Sequence, residues 1–356
     1  MADSTRTGLD VVLARHPLGT PTPEDFALRT SAPLEPEEGQ FRIGVEWVSL
    51  DPAMRTWASA RPGRGTPLML GSVMRAYAAG TIESSRHPGW PVGLRVVGPF
   101  GMRTWHLTDG SDVRRVVSPD LEPFQAALGI VGHIGLTAHI GLVSIAGVRP
   151  DETVVVTSAA GAVGAVACQV ARLLGAHVIG IAGGPEKALL CREEYGIDTV
   201  LDRHDPHLEE RLREVAPEGV DVFFDNTGGP VHDVVMSQMA PGGRVAICGT
   251  IALDSANPGV GPRHERLILD RSLTVRGFLQ SSHDDNAALP LAQLQAWHDS
   301  GELRLVEDVI DGLGQAPAGI ERLLAGRHRG KVLVRVQPQP VPAPPRSVPI
   351  DRGVRT

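Results

Sequence analysis

The hydrophobic rhythm of the chain changes at Phe124. Up to about Glu122, short apolar runs are cut by Gly and Pro. FRIGVEWVSL (41–50) and LRVVGPFG (94–101) have strand character, and no long amphipathic helix is predicted there. Residues 1–15 are polar and predicted to be frayed. From Phe124 to about Leu279, strand-length apolar runs alternate with helical windows. The runs are TVVVTSA (153–159), HVIGIAG (177–183), TVLDR (199–203), VDVFFDN (220–226), RVAICG (244–249) and LTVRGF (273–278). Near-continuous apolar runs are strands covered on both faces, and their alternation with helices makes βαβ units on a parallel sheet. Helices are predicted at 286–300 and 315–325, and KVLVRV (331–336) as a last strand. From Gln337 onward prolines dominate, which predicts a disordered tail. The expected fold class is α/β: a β-rich domain joined to a doubly wound parallel sheet.

Composition narrows the class. A length of 356 residues suits two domains, and 42% hydrophobic with 21% charged residues is ordinary for a globular chain. The net charge is −7 and the cations are scattered, which argues against nucleic acid and anionic membranes as partners. No window approaches the roughly 18 apolar residues of a membrane span, and the start shows no secretory signal. Three widely spaced cysteines, Cys168, Cys191 and Cys248, point to a reducing, cytoplasmic setting rather than a disulfide framework.

The most informative stretch runs from the strand at 153 into Ala159, Ala160, Gly161, Ala162, Val163 and Gly164, and on into a helix. Strand, tight turn and helix are the setting a dinucleotide fingerprint requires. Gly161 lets the backbone approach a pyrophosphate, Gly164 lets helix and strand pack, and the helix N-terminus offers N–H groups to phosphate. Ala159 replaces the usual first glycine. An NAD enzyme places an acid after the second strand; here that strand ends in Ala182, Gly183 and Gly184, with Lys187 close behind and Arg203 closing the third strand. Small residues with two cations predict NADP(H). Asn226, Gly249 and Thr250 end the next two strands, where ligands sit in such sheets.

Zinc dehydrogenases need thiolates and imidazoles in the first domain. No cysteine precedes Cys168, and His16, His87, His106, His133 and His139 show no ligand spacing, so no metal is expected. Without a Lewis acid, hydrogen-bond donors must polarise the substrate, which favours conjugate reduction.

These residues, together with VSLDPAMR (48–55), LGSVMRAYAAGTI (70–82), SRHPGW (85–90), GLTAH (135–139), GIAGGPEK (180–187), FFDNTGG (223–229) and RVAICGTI (244–251), resemble the zinc-independent medium-chain dehydrogenase/reductases. Within them the chain is most similar to the prostaglandin reductase, curcumin reductase and alkenal double-bond reductase branch, from about Arg15 to Val336. The resemblance implies a GroES-like domain built from 1–123 and 301–336, a Rossmann domain at 124–300, a tail at 337–356, and a homodimer. It implies that Lys187 meets the 2′-phosphate, and that Thr137, Asn226, Gly249, Thr250, Phe278 and Leu279 run along the cofactor. It implies NADPH-dependent reduction of a double bond conjugated to a carbonyl.

The departures fall in the pocket. Tyrosines usual in the family are replaced at Ala53, Leu253, Asp270 and Arg203; His133-Ile134 replaces Met-Pro, His139 replaces a tyrosine, and His328 replaces an asparagine. Ala53, Met54, Arg55 and Leu253 are the expected pocket residues, and His133 and His139 the expected proton donors. Quinone or carbonyl reduction on the same scaffold stays open, as does a non-redox role such as a cyclase or isomerase.

Overall fold

The computed structural model describes residues 7–61, 66–253 and 259–336, the side chains of 284–286 excepted; the tail expected at 337–356 lies outside these residues. The first half is β-rich. A hairpin pairs β1 (Gly8–Leu13) with β2 (Phe26–Ser31). Residues 8–13 are therefore a strand, not the frayed start that their polar surroundings suggested. The alternate LDVVL run buries Val11 and Leu13 completely.

A seven-stranded sheet follows. It contains β3 (Phe41–Ser49), β4 (Ala78–Ser85), β5 (Arg95–Gly98), β6 (Trp105–Thr108) and β7 (Arg115–Val116). A short helix, α1 (Met54–Ala58), follows β3.

The middle of the chain is doubly wound. Helix α2 (His133–His139) continues as a π-helical segment, Ile140–Ala146. Strands β8 (Thr153–Thr157), β9 (His177–Ala182), β10 (Thr199–Asp202), β11 (Val220–Asp225), β12 (Met239–Ile247) and β13 (Thr274–Gly277) form one parallel sheet in the order β10-β9-β8-β11-β12-β13. The connecting helices are α3 (Ala162–Leu173), α4 (Pro185–Tyr195), α5 (Leu208–Val215), α6 (Gly229–Ser237) and α7 (Glu265–Asp270). This is the Rossmann strand order, and its reversal between β8 and β11 opens a crevice at the carboxyl ends. Val154, Val155, Val156, Phe223 and Phe224 are wholly buried because helices cover both faces.

Helix α8 (Ala288–Asp299) lies within the predicted 286–300 window, and α9 (Ala316–Leu324) within 315–325. Strands β14 (Glu307–Asp311) and β15 (Lys331–Arg335) pair in parallel, and β15 joins β3. The seven-stranded sheet thus takes strands from both sides of the Rossmann unit. It is this return that brings Lys331 beside Ser49, Leu50 and Asp51.

Candidate functional site

The site begins at the turn from β8 into α3. Ser158 takes a positive φ of 55°, and α3 starts at Gly161 with no side chain capping its first amides. Those N–H groups are free to meet an anion. Gly164 is required by contact: a Cβ there would lie 2.1 Å from the Ser158 carbonyl oxygen. Ala159 and Ala160 are buried, while Gly161, Ala162 and Val163 stay partly open.

The end of β9 gathers positive charge. Gly184 has φ 83° and ψ 166°, a conformation open essentially to glycine alone, and no atom lies near its missing side chain. Lys187 sits in the first turn of α4. Burial and the facing charge of Arg203 pull its pKa below the ordinary amine value. Among the described residues neither Lys187 nor Arg203 forms an ion pair; the only hydrogen bond of Arg203's side chain goes to His204 Nε2 at 3.1 Å. The nearby acid is already occupied. Asp202 Oδ1 accepts from the Gly184 and His204 amides, both at 3.0 Å, and these bonds lower its pKa.

His328 joins this cluster from the far end of the chain. Burial, with the charges of Lys187, Lys331 and Arg322, pushes it down to about 4 against the opposing pull of Asp308. Cations without an ion-pair partner among the described residues, at a strand end beside the open turn at Gly184, are groups that could hold a phosphate-bearing ligand. In the sequence His328 stands only as a departure from the family pattern, 141 residues from the Lys187 whose charge it feels.

The carboxyl ends of β11 and β12 form the next wall. Asp225 is fully buried and accepts from Thr157 Oγ1 (2.9 Å), the Thr227 and Gly228 amides, and His232 Nδ1 (2.8 Å). Burial would raise its pKa, but these donors hold it below the usual carboxylate value. Asn226 donates Nδ2 to the Thr157 carbonyl at 2.7 Å, and among the described residues its Oδ1 is unpartnered. A cavity of about 350 Å3 lies behind this wall, lined by His232, Thr250, Leu253 and Val260 among others. The Asp225–His232 contact was not anticipated from sequence. A second cavity, about 480 Å3, is lined by Ile247, Phe278 and Leu279, among others. Gly249 packs against Asn226, where a Cβ would lie 2.8 Å from the carbonyl oxygen.

Arg55 ties the two halves together, donating Nη2 to the Leu253 carbonyl at 2.6 Å across 198 residues. Ala53, two residues earlier, is exposed. Met54 instead is fully buried in the core of the β-rich unit, beside such residues as Leu50 and Ile320, because its side chain points inward from α1. His139 is buried too; its Nε2 meets Gln293 Oε1 at 2.9 Å and its ring packs near Trp297. Met54 and His139 therefore sit in packing rather than at an open surface, unlike the pocket and proton-donor placements expected of them.

His133 has a different setting. Its side chain is 14% exposed, Nε2 lies 3.4 Å from Asp51 Oδ1, and its ring stacks on Tyr77. Thr137, one turn on, donates Oγ1 to the His133 carbonyl at 2.6 Å. The cysteines offer no nucleophile: burial raises all three thiols, Cys191 to about 11 and Cys248 to about 12. Among the described residues no three His, Cys, Asp or Glu side chains converge to hold a metal ion.

Comparison with known proteins matches two family models, one for an N-terminal domain of oxidoreductase at residues 10–116 and one described as zinc-binding dehydrogenase at 162–293. The chain is 34% identical to prostaglandin reductase 1 of Bos taurus, over 91% of this chain and 97% of that one. It is 32% identical to the NADPH-dependent curcumin reductase of Escherichia coli, over 91% and 96%. The crystal structure of CurA from Vibrio vulnificus in complex with NADPH superposes with a TM-score of 0.86 at 31% identity, covering 93% of this chain and all of that one.

Proposed function

Because the chain belongs to the medium-chain dehydrogenase/reductase superfamily, in the branch of prostaglandin and curcumin reductases, we propose that it is an NADPH-dependent reductase of the C=C bond in α,β-unsaturated carbonyl compounds. The observation that carries the reading is the unpaired cation cluster of Lys187 and Arg203 beside the open turn at Gly184.

The residues present fit the cofactor. The uncapped amides of Ala162, Val163 and Gly164 suit a pyrophosphate, and Lys187, Arg203 and His328 suit a 2′-phosphate. Asn226 Oδ1, Gly249, Thr250, Thr137, Phe278 and Leu279 are the groups that would run along the rest of it. When bound, NADPH supplies the hydride that adds to the β-carbon of the substrate. The enolate left behind needs one proton at its α-carbon. His133 is the titratable group for that role, half-sunk on α2 and braced by Asp51 and Tyr77. Ala53, Arg55 and Leu253 would bound the substrate, with Ala53 leaving room where a larger side chain would fill it.

The same reading takes 1–123 with 301–336 as the substrate-side domain and 124–300 as the cofactor domain. It also takes the outer strand β13, exposed along its whole length, as the edge through which two copies pair. The three free cysteines suit an enzyme working in the reducing cytoplasm; among the described residues no helix is long and apolar enough to cross a membrane.

Consumption of NADPH and of NADH in the presence of an enone or enal tests the cofactor half. A strong preference for NADPH is expected, and equal rates with the two cofactors would overturn the assignment.

A further inference from the structure

The Asp51 carboxylate joins three distant parts of the chain. Lys331, 1% exposed, donates Nζ to Asp51 Oδ1 (2.8 Å), to Ser49 Oγ (2.5 Å) and to the Leu50 carbonyl (2.9 Å). Ser49 in turn donates its hydroxyl to Asp51 Oδ2 at 2.6 Å. Burial alone would raise the pKa of Asp51, but Lys331 and His133 hold it well below the usual carboxylate range. A buried ion pair of this kind survives only when its lone pairs and protons are satisfied, as they are here.

His133 touches the same carboxylate from α2. Its Nε2 lies 3.4 Å from Asp51 Oδ1, a long contact of the kind that tightens when a site closes. The His133 and Tyr77 rings stack with centroids 4.6 Å apart and planes 13° apart. Nδ1 of His133 is buried and has no hydrogen-bond partner among the described residues. A carboxylate can only accept, so Nε2 must carry hydrogen. A neutral His133 then leaves a bare lone pair at Nδ1, and a protonated one presents an N–H there. Nδ1 of His106, His139 and His328 is buried and unpartnered in the same way; His133 differs in that its Nε2 meets the carboxylate of Asp51, two residues from Ala53 at the candidate substrate wall, and this placement makes a ligand atom the partner assigned to its Nδ1.

We propose that Asp51, itself fixed by Lys331 and Ser49, is a positioning residue that holds His133 in its Nε2–H form and dedicates Nδ1 to the substrate. This rests on the reading of His133 as proton donor. In the step, the Nδ1–H bond of the imidazolium breaks and a C–H bond forms at the α-carbon of the enolate. The electron pair of the N–H bond stays on Nδ1, leaving neutral Nε2–H imidazole, and solvent restores the proton.

Two measurements on the full-length protein test it. Ring-nitrogen NMR of 15N-histidine-labelled protein, with the His133 signals identified by their loss in His133→Gln, is expected to show the Nε2–H tautomer. An Nδ1–H tautomer overturns the proposal without any need for an Asp51 variant to fold. Turnover of NADPH with an enone is the second. His133→Gln is expected to lower kcat by about 100-fold, the scale of a lost general acid, and Asp51→Asn by about tenfold, both with NADPH affinity unchanged. If His133→Gln leaves kcat unchanged, the proton-donor reading fails. If His133→Gln is slow while Asp51→Asn keeps the full rate, only the positioning role fails.

Discussion

The Gly184 amide donates to Asp202 Oδ1 at 3.0 Å, and this bond occupies the acid closest to the end of β9. Asp202 also accepts from His204, so it supports the turn; among the described residues it forms no ion pair with Lys187 or Arg203, although the Arg203 charge helps to lower its pKa. The turn is glycine-specific because ψ 166° at φ 83° crowds any Cβ against the backbone. Gly184→Ala is expected to cost about 1–3 kcal/mol of stability, read from denaturant unfolding, and to weaken NADPH binding with it.

Lys187 stands without an ion-pair partner among the described residues, and burial beside Arg203 makes its charge costly until an anion arrives. Lys187→Ala is therefore expected to raise the Kd of NADPH by about 10–100-fold, the worth of a charge-assisted hydrogen bond. The Kd of NADH should hardly move. Titration calorimetry with both cofactors checks the difference.

Gly164 answers to packing instead of conformation. A Cβ would sit 2.1 Å from the Ser158 carbonyl oxygen and 3.1 Å from Ala159 Cα, both backbone atoms that cannot swing aside. Gly164→Ala is expected to lower stability by about 1–3 kcal/mol, the cost of overpacking, visible as a lower Tm.

His328 gives the fold a pH signature. Folded, it is held at about 4 by burial and by Lys187, against the ordinary 6.5 it regains on unfolding. Between these values the unfolded chain binds a proton that the folded chain refuses. The contribution is thus fully present above about 6.5 and is lost as pH falls toward 4. His328→Asn should flatten the decline of Tm across this window. An unchanged slope would show that His328 does not titrate this way.

What the residue pattern revealed follows from burial. Strands β8 and β11 are covered on both faces, so TVVVT and VDVFFD read as apolar runs, and the glycines after β8 mark the turn into α3. Strand β14 reads EDVID and lies partly open at the edge of its sheet, so periodicity alone gave no signal. Strand β1 was masked by the polar residues around it. The π-helical turn at Ile140–Ala146 differs from an α-helix by one residue in its hydrogen bonding, which no side-chain period reveals. The site divided in the same way. Lys187, Gly161 and Gly164 belong to local motifs and were legible. The meetings of Asp51 with Lys331 across 280 residues and of Arg55 with Leu253, and the influence of the Lys187 charge on His328, depend on how the β-rich sheet closes around the Rossmann unit. Asp225 and His232 are only seven residues apart, but the glycine turn between them hides the approach.

The most direct test of the account is the product formed from an enone and NADPH. Purified protein would be incubated with both, and the products identified by NMR alongside the NADPH consumed. The expected product is a saturated carbonyl compound with the C=O intact, one molecule for each NADPH oxidised. An allylic alcohol with the C=C intact, or no NADPH oxidation with any enone or enal, would contradict it.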